Sequence, residues 1–215
     1  MTAREVINII ESVAPLTQQE GWDNSGLQVG SRETQVARVL LCTDIHDAVV
    51  QEAIDKHCQM IISHHPLLFH GLKTIEGITP QERCVIKAIQ HGLVLYSSHT
   101  AMDTYLHGVS GRMAEKLGIN NYHILSPSSA EVGLGVIGYL PMPLSLDDFL
   151  NKVKETFHVP AVRYVAQSGT DNTIRLVAMC GGAGSQFMDD AIKQGADAYI
   201  SADFKYHRSE ERRVG

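Results

Sequence analysis

Apolar residues along this chain come in short runs that alternate between two spacings. Val6, Ile9, Ile10 and Val13 recur at helical spacing behind Thr2-Ala3-Arg4-Glu5, a capping box, so a helix is predicted at the N-terminus. The turn-rich stretch GWDNSGLQVG (21–30) leads into a short strand. A strand over 36–44, a helix around 46–58 and a strand at 59–63 follow, then a helix over 81–92 ending at Gly92 and a strand at 93–97. Another helix is expected over 107–118. The pattern fades between 119 and 131, where NNYHILSPSSAE reads as a connector. Further strands are predicted at 133–140, near 161–166, at 174–180 and at 197–201, with helices over 145–158, opened by Ser145, and over 185–195. Strands alternating with helices imply parallel pairing in an α/β sheet.

Two of these units match each other without a gap. Sliding residues 39–65 onto 177–203 aligns Val39 with Val177, Cys42 with Cys180, Ala53 with Ala191, Ile54 with Ile192, Ile62 with Ile200 and Ser63 with Ser201. Any two strand–helix–strand units share apolar positions, so sequence alone leaves open whether this is a repeat. As a repeat, it makes Ser63-His64-His65 and Ser201-Ala202-Asp203 equivalent strand ends, and ligands of open α/β sheets sit at such ends.

Composition mostly removes possibilities. With 215 residues, 44% hydrophobic and 20% charged, the chain can bury a full core. A net charge of −6 argues against non-specific nucleic-acid binding. No apolar run is long enough to span a bilayer, and MTAREVINII lacks a signal-peptide core, so a cytoplasmic protein without a membrane role is expected. The 4 cysteines (Cys42, Cys58, Cys84, Cys180) are scattered, as suits buried thiols rather than disulfides or a cysteine–zinc site. The 11 histidines do change the picture, because imidazole is both a proton carrier and a metal ligand.

The segment QMIISHHPLLFH (59–70) places His64 and His65 just past a buried strand. Within a strand, neighbouring side chains point to opposite faces. Pro66 ends the ladder, so at the turn both rings can face one pocket. The next predicted strand runs into Ser98-His99-Thr100-Ala101-Met102-Asp103. Consecutive strands thus deliver His64, His65 and Asp103 to one sheet edge, a donor set suited to zinc, manganese or iron(II) in which the carboxylate can bridge two ions. His99 is the weaker candidate: it can orient Asp103, relay protons or lie at the surface. His70 follows an apolar run that should turn it away. His57, His91, His107, His123 and His158 fall in helices or connectors and are assigned no role. GGAGS (181–185) lacks both the dinucleotide glycine spacing and a P-loop lysine, and reads as a tight turn. Asp-Asn-Ser-Gly (23–26) reads as a turn packed near the sheet edge.

GWDNSGLQVG, SHHPLLF, SHTAMD and GGAGSQFMDDAIKQGADAYISADFKYH, in that order, resemble the motifs of the Nif-three-like dinuclear-metal family, whose members are often labelled GTP cyclohydrolase 1 type 2 homologues. The resemblance runs from residue 1 to His207. It implies an α/β fold of two similar lobes with mixed, largely parallel sheets, a toroidal homohexamer and two divalent ions per subunit. His64 and His65 match the adjacent histidine ligands and Asp103 the bridging carboxylate, while a histidine and a glutamate near the family's C-terminus complete the site. Here the chain departs. It ends RSEERRVG, the translation of a common sequencing adapter, so residues 208–215 are expected to be read-through, with the missing ligands beyond His207. On this reading residues 1–125 form the first lobe and 126–207 an incomplete second. The implied function is metal-dependent hydrolysis of a nucleotide or phosphoester, against the alternative of a non-catalytic metal-binding ring. The substrate is a small molecule that the motifs do not name.

Overall fold

A computed structural model describes residues 1–129, 132–166 and 173–204. The chain divides into two compact units, residues 1–102 and residues 103–215.

In the first unit, β1 (Gly26–Val29), β2 (Val39–Cys42), β3 (Met60–Ser63) and β4 (Val94–Ser97) form one sheet in the order β1-β4-β3-β2. The β2–β3 and β3–β4 pairs are parallel and β1–β4 is antiparallel. Alternation along the strands sorts their side chains to two faces. Ile61 and Leu95 pack with Val50, Ala53, Val85 and Ala88 of α2 (Asp47–Asp55) and α3 (Pro80–Gln90). Met60, Val94 and Tyr96 pack on the other face with Ala3 and Ile7 of α1 (Ala3–Val13). The capping box of α1 forms as predicted: Thr2 Oγ1 accepts from the Glu5 amide and the Glu5 carboxylate from the Thr2 amide.

The short helix α4 (Thr100–Asp103) carries the chain into the second unit. There α5 (Val109–Lys116) precedes β5 (Tyr122–Pro127) and β6 (Gly133–Ser145), and α6 (Leu146–Phe157) precedes β7 (Thr173–Ala183). A 3-10 turn at Ser185–Phe187 then opens α7 (Met188–Lys193), and β8 (Ala198–Ala202) closes the sheet, in the order β5-β6-β7-β8. Ala114, Leu117 and Ile119 share a core cluster with Val136, Phe149, Val153, Val177 and Met179. That packing explains why the division falls after Met102 and not at the expected residue 125: α5 and β5 bury their apolar faces in the second core.

Three other expectations need correction. Residues 122–127, expected in a connector, form an edge strand whose alternation is masked by Ser126, Pro127 and the flanking asparagines. Residues 161–166 are not a strand: Val162 and Tyr164 have suitable β-forming side chains, but the segment is largely exposed and pairs with no strand. The second sheet is mainly antiparallel, with β7–β8 its parallel pair. The β5–β6 connection, residues 128–132, is too short for a crossover.

The internal match extends to the pairing register of the two units. Val39 pairs with Met60 and Leu40 with Ile61, while the shifted positions Val177 and Ala178 pair with Ala198 and Tyr199. The helix exits match as well. His57 N donates to Ile54 O (2.9 Å) and Cys58 N to Ala53 O (2.8 Å); Gly195 N donates to Ile192 O (2.9 Å) and Ala196 N to Ala191 O (3.0 Å). The same Schellman exit also ends α3 at Gly92 and α5 at Gly118, so the shared strand register is the more specific of the two likenesses.

Candidate metal centre

The ladder between β2 and β3 continues past the strands, His64 N donating to Cys42 O (3.1 Å) and His65 N to Thr43 O (2.9 Å). The chain then bends. The buried Ser63 hydroxyl donates to His65 O at 2.8 Å and lies 2.8 Å from the Ser97 hydroxyl, itself fully buried. This pair ties the end of β3 to the end of β4. It turns the His65 carbonyl inward and brings both imidazoles to one side, with ring centroids 4.8 Å apart. His99 follows β4 and completes a trio, 5.2 Å from the His64 ring and 5.3 Å from the His65 ring. The three rings present ligand nitrogens within 4.8 Å of one another.

Each ring is oriented by an acceptor at Nδ1. His64 Nδ1 donates to Ser98 O (3.1 Å), His65 Nδ1 to Asp44 Oδ1 (2.8 Å) and His99 Nδ1 to Asp23 Oδ1 (2.8 Å). Carbonyl and carboxylate oxygens can only accept, so the neutral rings carry their lone pairs on Nε2. This is the arrangement in which histidine binds a metal, with a second partner fixing the tautomer. Two of the partners are carboxylates, Asp44 and Asp23.

Asp23 is the most elaborately held of these. Its side chain is fully buried. It accepts from Ser25 Oγ (2.8 Å), from the Thr100 amide (3.0 Å) and from Thr100 Oγ1 as well as from His99. Burial pushes its carboxyl up, but the hydrogen bonds from Thr100, His99 and Ser25 outweigh this and hold it at about 2. The His99 amide in turn donates to Ser25 Oγ (3.1 Å), so the DNS turn fixes both backbone and ring of His99. Cys42, at the end of β2, is a poor donor by contrast: burial, with Asp44 and Glu52 nearby, pushes its thiol up to about 11.

The structure therefore brings His64 and His65 together and adds His99, whose side chain is only 15% exposed and not at the surface. Asp103 is the first residue of the second unit and is not one of the three. Within that unit, burial and then the Asp103 charge push the Cys180 thiol up to about 11. His70 packs edge-on against Phe69, outside the trio. GGAGS forms the expected tight turn, where Ser201 Oγ accepts from Gly184 N and donates to Gly182 O. Residues 208–215 lie outside the described residues. Sequence reasoning missed Asp23 and Asp44 as partners of the rings. The available signal was Asp44, which follows β2 as His64 and His65 follow β3.

A family model described as Duf34/NIF3 (NGG1p interacting factor 3) matches residues 1–213. The chain belongs to the NIF3 family. It is 36% identical over 209 residues to the GTP cyclohydrolase 1 type 2 homolog of Clostridium perfringens, covering 96% of this chain and 79% of that protein. The same-named protein of Clostridium acetobutylicum is 34% identical over 210 residues, covering 96% and 78%. The crystal structure of Staphylococcus aureus protein SA1388 matches this NIF3 chain with a TM-score of 0.90 at 27% identity, covering 100% and 83% of the two chains. No helix among the described residues is long and apolar enough to cross a membrane.

Proposed function

We propose that this NIF3 chain is a divalent-metal hydrolase acting on a nucleotide or phosphoester, with His64, His65 and His99 as nitrogen ligands. The observation that carries the reading is the histidine trio, with each Nδ1 held by an acceptor and the ligand atoms within 4.8 Å. Three imidazoles of fixed tautomer are a donor set that fits zinc, manganese or iron(II). Asp103 joins the proposal as the carboxylate that the family resemblance assigns to bridging a second ion, and the homohexamer is proposed on the same ground.

When bound, a divalent ion supplies Lewis acidity that lowers the pKa of water and polarises a phosphoryl or ring carbon. The chain's own residues set the conditions for it. Ser63 and Ser97 keep the His64-His65 bend in place, and Asp23 and Asp44 hold the rings of His99 and His65 in register. His65 is half-exposed, which leaves the trio open to solvent and substrate. The names of the clostridial relatives favour a guanine nucleotide among the candidates to screen.

Elemental analysis of purified wild type against His65→Ala, followed by turnover of GTP and simple phosphoesters with zinc, manganese and iron, tests the reading. Stoichiometric metal that falls several-fold in the variant is expected, together with turnover that falls in parallel. Equal metal content in both proteins would sink the site. Full metal content with no turnover would leave a metal-binding ring and remove the hydrolase.

A further inference from the structure

Next to the histidine trio stands an aromatic wall that the metal reading does not use. Trp22 is 60% exposed and Phe69 38% exposed. Their ring centroids lie 5.8 Å apart at a tilt of 42°. Both reach the trio: Trp22 meets His99 edge-on at 6.0 Å and Phe69 meets it edge-on at 6.4 Å. The wall is therefore one ring away from the ligand nitrogens.

It is also held in place from beneath. Both backbone polar groups of Leu68 are taken by side chains of β1 and the loop before it: its amide donates to Gln28 Oε1 (3.1 Å) and its carbonyl accepts from Asn24 Nδ2. Gln28 Nε2 donates to Asn24 O at 2.7 Å, joining the two clamps. Leu67 and Leu68 pack against the core under α2 and α3. The segment bearing Phe69 is thus fastened to the segment bearing Trp22, and little conformational entropy is left to lose when something stacks on the pair. Large aromatic surface left in water but rigidly presented is what a stacking platform requires.

We propose that Trp22 and Phe69 form a stacking subsite for a flat heteroaromatic ring of nucleobase type, with the polar end of the same ligand reaching the histidine site. The proposal rests on the metal reading and narrows its substrate class: a ring-bearing ligand is recognised, and a bare phosphoester is not. Trp22 and Phe69 set specificity by contact and take no part in bond making. The net charge of −6 leaves the ligand's anionic end dependent on the bound ion, so the ring contacts supply the selectivity.

The test uses the zinc-loaded full chain titrated with GMP, AMP and UMP against ribose 5-phosphate. Trp22 is the sole tryptophan, so its fluorescence reports directly on stacking in the wild type, and calorimetry serves the variants. At least one base-bearing ligand should quench Trp22 and bind more tightly than ribose 5-phosphate. Trp22→Ala should weaken that ligand roughly tenfold or more, with ribose 5-phosphate and zinc affinity unchanged, and Trp22→Phe should restore most of the loss. Equal affinities for base-bearing and base-free ligands, or an equal loss of both in Trp22→Ala, would overturn the subsite. Zinc binding separates the two proposals: zinc retained without base preference removes the subsite alone, whereas zinc not bound by wild type removes both.

Discussion

Asp23 shows how much of a candidate metal site lies outside its ligands. Its carboxylate fixes the ring of His99, the hydroxyl of Ser25 and the start of the helix at Thr100. Asp23→Asn keeps the size but loses an acceptor, and the amide must orient one way for His99 or the other for Thr100. Metal affinity should fall about 10- to 100-fold, read by competition with a chromogenic chelator, while His64→Ala should lose more. The Ser63 and Ser97 hydroxyls illustrate a different cost. Ser63→Ala removes the shorter of the two donors to the His65 carbonyl and leaves only the Ser97 hydroxyl, at 3.4 Å, to hold it, so it should destabilise by about 1 kcal/mol, measured by urea unfolding.

At the scale of elements, the two matched strand–helix–strand units leave their helices by the same bonds but with different residues. The left-handed exit position is Gly195 after α7 and His57 after α2, at φ 76° and 52°. Glycine takes this conformation freely, whereas a side chain pays about 1 kcal/mol or more. His57 is exposed and has no site role, so His57→Gly should raise stability by about 1 kcal/mol, seen as a higher melting temperature with unchanged metal content. The entry to α3 offers a pH test. Glu82 accepts from the amides of Ile78 and Glu76, and the Ile78 hydrogen bond chiefly lowers its pKa below 4.5. A lowered carboxylate pKa gives stability that is present above the unfolded value and is lost as pH falls through the folded one. The melting-temperature advantage of wild type over Glu82→Gln should therefore be full at neutral pH and shrink below about pH 4.5.

For the whole molecule, each unit buries core clusters of its own, two in each among the described residues, so a probe in one unit reports on that unit. Trp22 is the sole tryptophan and sits in the first unit, so Leu95→Ala, which empties a fully buried position there, should shift the fluorescence-detected urea transition by about 2–5 kcal/mol. Most of the architecture is legible in the order of residues alone. The capping box marks α1, the period-2 and helical runs mark most of the remaining elements, and the matched spans 39–65 and 177–203 announce a repeat that the pairing registers display. What misleads is local chemistry read without its partners: Ser126 and Pro127 hide β5, and Val162 and Tyr164 suggest a strand where no edge receives one. The candidate site divides along the same line. The sequence by itself determined that His64 and His65 leave a buried strand together, because Pro66 ends the ladder and adjacency needs no folding to establish. Only the tertiary structure decided that His99 joins them, that Asp23 and Asp44 hold the rings, and that Trp22 stands beside Phe69. Those partners are separated by 21 to 76 positions along the chain, and such distances close only when parallel strands and their loops are brought to one edge.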